Sequence, residues 1–542
     1  MKKIKYLILI ITLGFLISSC TKKLDEAYAN PNAPVRVKPS ELLPPMQYQM
    51  ALNLEEDYMY VGTTIQNFAL RYPFNGIPGT PTTRDLTITR HEKMGYFPNV
   101  DNSGAIWRMH YWNLGQNVNR MIEWAAEDNQ WDFVGAGYAI QAWSWLTLTD
   151  YHGEVILKEA FRTEQLAFKY DTQDEVYAHV RNLCRLALDN LDKTVSGGDF
   201  AQADQFFGGD KNKWKKFVYG TLARSYAHLT NKSIYKADSV IYYCDKAMQT
   251  PAEDVSYKFL GGPVNAQNNY WGQFRANNVN LRQSKYIVEL MKGNYPTFPG
   301  VDDPRRWYML STGTGVDADN MFGIEPTKGE LVNLTTTQRP TNFYGAATIP
   351  TVDTARFIFR NNSEFPIMTS SEIQFMKAEA AFKMGNKGLA LSAYRQGIAQ
   401  HFDMLLSKYN VNIRPARVMT AATRDAFLAN PSVVPVVATS LTLSQIMQQK
   451  YIALWGHGIL ETWTDLRRYH YRDIDPATSA PVYNGFYILD PTTELWPDNG
   501  GKFTYRIRPR HNSEYVWNIE NLSVFGGNLV DYHTKEMWFS LP

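Results

Sequence analysis

Cysteine is scarce in this sequence: 3 in 542 residues, at Cys20, Cys184 and Cys244. Two cysteines beyond residue 20 supply neither a disulfide framework nor the paired ligands of a zinc site. Both sit among apolar residues at helical spacing and are expected as buried free thiols. Excess charge is missing too. Lys and Arg total 55 against 53 Asp and Glu, a net charge of +2, so the chain lacks the basic field that nucleic-acid binding requires. Catalytic signatures are also missing. HEKMG at His91 is not a His-Glu-x-x-His metal motif, GGKF at Gly500 is not a phosphate loop, and no Gly-x-Ser-x-Gly elbow occurs. VDADNMFG places Asp317 and Asp319 at calcium-loop spacing, but Met321 occupies a ligand position and the glycine comes too late. No metal, no cofactor and no catalytic residue are expected; among so many acids, nothing singles out a glycosidase pair. After the first residues, no apolar run reaches the roughly 20 residues that a membrane span needs.

What is present begins at the N-terminus. Lys2, Lys3 and Lys5 precede an apolar run from Tyr6 to Ile17, 12 residues long. A basic head and a short apolar middle form a secretory signal peptide. Ser18, Ser19 and Cys20 follow, and this ending resembles the lipobox of bacterial lipoproteins. The resemblance implies removal of residues 1–19 and acylation of Cys20, whose multiple chains anchor a protein stably where one would not. Loss of the three lysines takes the net charge from +2 to −1. Residues 20–45, rich in Pro, Asn and charge, read as an extended lipid-anchored leader, and 46–542 as one body.

Helical signals dominate that body. Capping boxes are expected at Thr172–Glu175, Thr369–Glu372 and Thr442–Gln445. Met447, Tyr451, Leu454 and Trp455 fall on one helix face. Residues 371–398 read as a helical hairpin turning at Gly385, where glycine tolerates the left-handed conformation. Two helices joined this tightly resemble a tetratricopeptide unit, and 211–248 is a looser second example. The fold class expected is all-α: tetratricopeptide-like hairpins in an α/α superhelix, elaborated by long irregular loops. Two regions lack helical period, Arg71–Pro98 and residues 261–360. Both are dense in Gly, Asn, Thr and Pro with scattered aromatics, the texture of functional loops.

Several segments together resemble the SusD/RagB family. They are NPNAP with PSELLP near the leader, TDYHGEVILKEA (Thr149–Ala160), YDTQDEVY, GDKNKWKKF, DDPR and FPIMTSSEIQFMKAEAAF. QKYIALWGHGILETWTDLRR (Gln449–Arg468) and RPRHNSEYVWN follow near the end. Ile156 and Leu157 depart from the family pattern, which has proline and an aromatic there. The resemblance covers nearly the whole mature chain. It implies a lipoprotein exposed on the outer membrane of a Bacteroidetes-type bacterium. It further implies a SusC-like TonB-dependent transporter as partner, and a nutrient, commonly an oligosaccharide, as ligand.

A sugar ring offers an apolar face to an aromatic side chain and a rim of hydroxyls to amides and guanidinium groups. The loops that pair these residue types supply the candidate binding residues. They are Tyr72 and Phe74 in RYPFNG; Asn269, Trp271, Phe274 and Arg275 in NNYWGQFRANN; and Asn342, Phe343 and Tyr344 in TNFYG. The alternative for each aromatic is that it pins its own loop to the body. Glu461, Asp465 and Arg468 share a helix face and read as a structural ion network, with Trp143, Trp145, Trp455 and Trp463 as core. Two other function classes stand beside the nutrient-binding one: a helical scaffold that binds only proteins, and a surface glycoside hydrolase.

Overall fold

In the computed structural model of the chain, residues 36–72, 83–195, 198–262, 268–273, 280–342 and 353–542 are described; Cys20 lies outside them. The first helix, α1 (Pro39–Thr64), starts on a proline, whose fixed φ and missing N–H suit that position. It therefore begins inside the stretch expected to be extended to residue 45. Pro44 and Pro45 lie within the helix, and the two donors they lack are offset by burial of Leu43, Met46 and Met50. Farther along α1, Asp57 accepts from Ala105 N (3.1 Å) and Ile106 N (2.8 Å) and so caps the next helical turn. After β1 (Phe68–Leu70) comes α2 (Thr83–Glu92). The stretch Arg71–Pro98, expected as loop, thus contains a helix.

The superhelix follows: α3 (Gly115–Glu127), α4 (Trp131–His152), α5 (Gln173–Leu191), α6 (Lys211–Ala227) and α7 (Ala237–Lys246). Next come β2 (Val255–Lys258), β3 (Leu281–Gln283) and β4 (Glu364–Met368). Then follow α8 (Ser370–Lys383), α9 (Lys387–Lys408), α10 (Ala421–Ala429), α11 (Leu443–Leu454) and α12 (Ile459–Arg468). Each helix packs on its successor from α3 through α7; α7 then packs on α8, and α8 on both α9 and α11. The chain is predominantly helical. Strands among the described residues form only two-stranded antiparallel ladders: β1 with β3, β2 with β4, and β5 (Ile474–Asp475) with β6 (Ala480–Pro481). Among the described residues, no helix is long and apolar enough to cross a membrane.

Local signals set the helix ends. Both halves of the capping box form at Thr172–Glu175 and Thr442–Gln445. At Thr369 only half does. The threonine accepts from Glu372 N, but the Glu372 carboxylate turns away to Arg224 of α6, at 2.6 and 2.7 Å. A box that the sequence reading missed closes at Thr420–Thr423, where threonine replaces the acid. Between α8 and α9, Gly385 has φ +85° and Asn386 caps α9 by accepting from Leu389 N. Trp143, Trp145, Trp455 and Trp463 are buried, as are the free thiols of Cys184 and Cys244.

The charged face of α12 is buried against α6, α8 and α11. Arg468 spans Glu379 (2.9 and 2.9 Å) and Asp465 (2.6 Å), and Lys450 completes Asp465 at 2.7 Å. Glu461 does not pair along its own helix; it meets His228 at 2.9 Å and Arg224 at 3.3 Å across the interface. Asp150 holds the other nitrogen of His228 at 3.1 Å. Burial opposes charge on His228, but the two carboxylates outweigh it and lift the imidazole to about 9. Asp150, His228 and Glu461 lie close enough to suggest a metal site. A carboxylate stands at each ring nitrogen, however, and in its protonated form the ring has no lone pair to offer a metal.

Candidate functional site

The three aromatic-rich segments lie far apart in sequence, and a short ladder gathers their stems. β1 pairs with β3, Phe68 opposite Gln283 and Leu70 opposite Leu281. One step on, Arg71 N donates to Asn280 O at 2.7 Å. Arg71, shortly before residues 73–82, therefore stands beside Asn280, which follows residues 274–279. The third is tied to the same ladder, because Arg282 of β3 donates through Nε to Pro340 O at 3.0 Å. Arg71 is fixed from below by Glu330, whose carboxylate accepts from Nε at 2.6 Å and whose N–H donates to Arg71 O at 2.8 Å.

Tyr72 and Asn342 stand half-buried at these stems, with the Arg71 guanidinium 4.9 Å from the Tyr72 ring centre. Phe74, Phe274, Arg275, Phe343 and Tyr344 lie outside the described residues. Asn269 and Trp271 correct the sequence reading, since both are fully buried. Asn269 bonds the chain on three sides. Its N–H donates to Asn361 O (2.9 Å), its Nδ2 to Ile358 O (2.9 Å), and its Oδ1 accepts from Trp271 N (2.8 Å). Trp271 packs edge-on against Phe68 (5.6 Å) and Phe359 (5.9 Å), and Phe68 in turn meets Trp455 (5.7 Å). An indole placed between two aromatic rings gains more from the core than from solvent. This pair holds the base of the loop, while the rest of NNYWGQFRANN continues beyond it.

Sequence reasoning missed the supports: Glu330, Arg282 and Glu55. Each acts across a large sequence distance, so no local pattern marks it. Glu55 of α1 accepts from Tyr270 N at 3.1 Å, directly beneath Trp271. Burial raises its carboxyl well above the usual range, against the lowering effect of that bond and of the Asn269 amide. The folded protein thus favours the protonated acid, and this group's contribution to stability is full below its unfolded pKa of about 4.3 and declines as pH rises. Glu55→Gln is expected to stabilise the protein by about 1 kcal/mol at pH 7 and not at pH 4. Thermal unfolding of both proteins at the two pH values measures this; an equal gain at both would mean that ionisation is not the cause.

The acids of VDADNMFG serve the same region. Asp317 accepts from Thr337 Oγ1 at 2.6 Å, and Asp319 pairs with Arg414 at 2.5 Å. Their charges join loops to one another.

The SusD-like family model, described as "Starch-binding associating with outer membrane", matches residues 31–488. No curated protein is a significant match. Among solved structures, a SusD/RagB family protein from Bacteroides thetaiotaomicron superposes with TM-score 0.65 at 17% identity, covering 93% of this chain and 99% of its own. A chitin-binding protein gives 0.67 at 17%, covering 93% and 100%. A chitin-binding SusD homologue from Flavobacterium johnsoniae gives 0.64 at 18%, covering 93% and 98%. At these identities the likeness is one of fold.

Proposed function

The chain belongs to the SusD-like family, and on that premise we propose that it is a nutrient-binding lipoprotein of the outer-membrane surface. In this reading the lipid on Cys20 tethers the helical body, which captures an oligosaccharide and passes it to a SusC-like TonB-dependent transporter without altering it. The observation that carries the proposal is that the described ends of three aromatic- and amide-bearing segments meet at the β1–β3 ladder and its neighbour Pro340. A flat ligand with apolar faces and a hydroxyl rim suits the residue types these segments carry. The chitin-binding description of two proteins of the same fold supports a saccharide. Tyr72, Phe74, Phe274, Arg275, Asn342, Phe343 and Tyr344 are the proposed contacts, with Asn269 and Trp271 as their foundation.

Calorimetry of the mature chain with starch- and chitin-derived oligosaccharides tests this reading. Replacing Tyr72 and Tyr344 together with Ala is expected to weaken binding by ~10-fold or more, about 1.4 kcal/mol. The unfolding temperature should stay near that of the unaltered protein, and chromatography should recover the ligand intact. Binding that is undiminished in the double variant would overturn the site. Absence of saccharide binding, with co-purification of a protein partner, would establish the scaffold reading instead.

A further inference from the structure

A cleft lies between residues 95–104 and the C-terminal part of the chain. Residues 504–510 pass there without helix or strand, held by Arg506 N to His533 O (3.2 Å) and Ile507 N to Tyr151 O (2.9 Å). All of residues 506–510 line a cleft of about 460 Å³, and three of the five are arginines: Arg506, Arg508 and Arg510. Asp101 is the sole carboxylate among its lining residues.

The three guanidinium groups are not equally neutralised. Arg506 pairs with Glu154, which lies behind the cleft, and packs so closely on Gly153 (φ +87°) that a Cβ there would stand 2.5 Å from Arg506 Nη1. Arg510 meets Asp101 at a single 3.2 Å contact and remains 36% exposed. Arg508 has no carboxylate within ion-pair distance among the described residues. It donates to Tyr515 Oη (3.1 Å) and to the carbonyls of Gly527 (3.2 Å), Leu529 (2.6 Å) and Val530 (2.6 Å). A hydroxyl and three carbonyls take the Nη hydrogens, the buried Nε has no hydrogen-bond partner, and the charge is left. Burial depresses His91 and His533 to about 3, so they are neutral at physiological pH. The lining therefore carries net positive charge.

Aromatic rings form the walls. Tyr96 covers Arg508 at 3.9 Å, and His511 stacks on Tyr515 with centres 5.5 Å apart and planes at 16°. The backbone around the cleft is unusual. Met94, Asn99 and Ser103 hold φ values of +59°, +61° and +63°, and His511–Tyr515 forms a π-helical turn. Left-handed non-glycine residues are costly and cluster at binding sites, as π-turns do.

We propose that this cleft binds a uronic-acid unit of an acidic saccharide, its carboxylate on Arg510 in the field of Arg508 and a ring face against the Tyr96 or His511–Tyr515 wall. A guanidinium group matches a carboxylate in shape as well as charge. The proposal rests on the saccharide-binding reading above and extends it to an acidic ligand at a separate place.

Calorimetry of the mature chain with trigalacturonic acid, its methyl-esterified form and neutral oligosaccharides tests it. The free acid should bind, more weakly as salt rises, and the ester should not. Arg510→Gln should weaken the acid by ~10-fold or more, as loss of a hydrogen bond to a charged group implies. Val530→Trp, on the exposed rim, should block it, and neither variant should change neutral-oligosaccharide binding. If wild type binds neutral oligosaccharide but not the acid, or if both variants bind the acid undiminished, the inference falls and the general function stands. Equal affinity for acid and ester would also overturn it. If the acid binds as described while neutral oligosaccharides do not, the cleft stands and the loop platform falls.

Discussion

Arg468→Met is expected to destabilise the protein by about 3–5 kcal/mol, the range seen when one partner of a buried ion pair is removed. The side chain is fully buried and holds two carboxylates from different helices, Glu379 of α8 and Asp465 of α12, while donating to Thr230 Oγ1 at 2.6 Å. Without it, the Tyr469 hydroxyl at 2.5 Å is the hydrogen bond left to Glu379 among the described residues, with Lys383 and Lys450 outside ion-pair distance, and Asp465 keeps Lys450. A buried carboxylate without a cation is costly enough to consume much of a typical folding free energy of 5–15 kcal/mol. Arg185→Ala gives the contrast. Its partner Asp189 is one helical turn away and both side chains are more than half exposed, so the change should stay within about 0.5 kcal/mol. Denaturant unfolding of the two variants measures the difference. Adding Glu379→Gln to Arg468→Met should recover part of the loss, because the second change removes the orphaned charge. Similar stabilities for Arg468→Met and Arg185→Ala would show that the network is not what joins these helices.

That network marks where the sequence could be read and where it could not. A charged face on α12 was legible from Glu461, Asp465 and Arg468, since helical period is local. Which residues they meet was not, because Glu379, Lys450, His228 and Arg224 lie on other helices. The same division runs through the caps. Thr172 and Thr442 behave as their local sequences specify, while Glu372 leaves its cap for a cation on α6. Helix α2 escaped notice because TRDLTITRHE has little apolar periodicity, and the start of α1 because its prolines resemble a linker. For the binding site, residue types located the segments, and only the β1–β3 pairing could show that they converge. In the cleft, the acidic partners of Arg510 and Arg506 lie hundreds of residues earlier, at Asp101 and Glu154, where no local pattern reveals them.

Trp271→Ala is expected to cost about 3–5 kcal/mol of stability, as for other fully buried aromatic side chains cut back to Ala. From sequence alone, an indole flanked by Asn, Tyr and Arg in a polar loop suits a sugar platform. The structure buries it between Phe68 and Phe359, above Glu55 and tied to Asn269. The variant would leave a cavity beside the residues that lead into 274–279 and into β1. Saccharide affinity should then fall as a consequence of lost order at the stems. Trp271→Phe separates cause from consequence. It keeps an aromatic edge for Phe68 and Phe359, so it should recover most of the stability and most of the affinity together. Tyr72→Ala with Tyr344→Ala should lower affinity alone. Unfolding and calorimetry on the same preparations resolve the two patterns. If Trp271→Ala loses affinity at unchanged unfolding temperature, the indole touches ligand directly, and the foundation of the site must be sought elsewhere on the β1–β3 ladder.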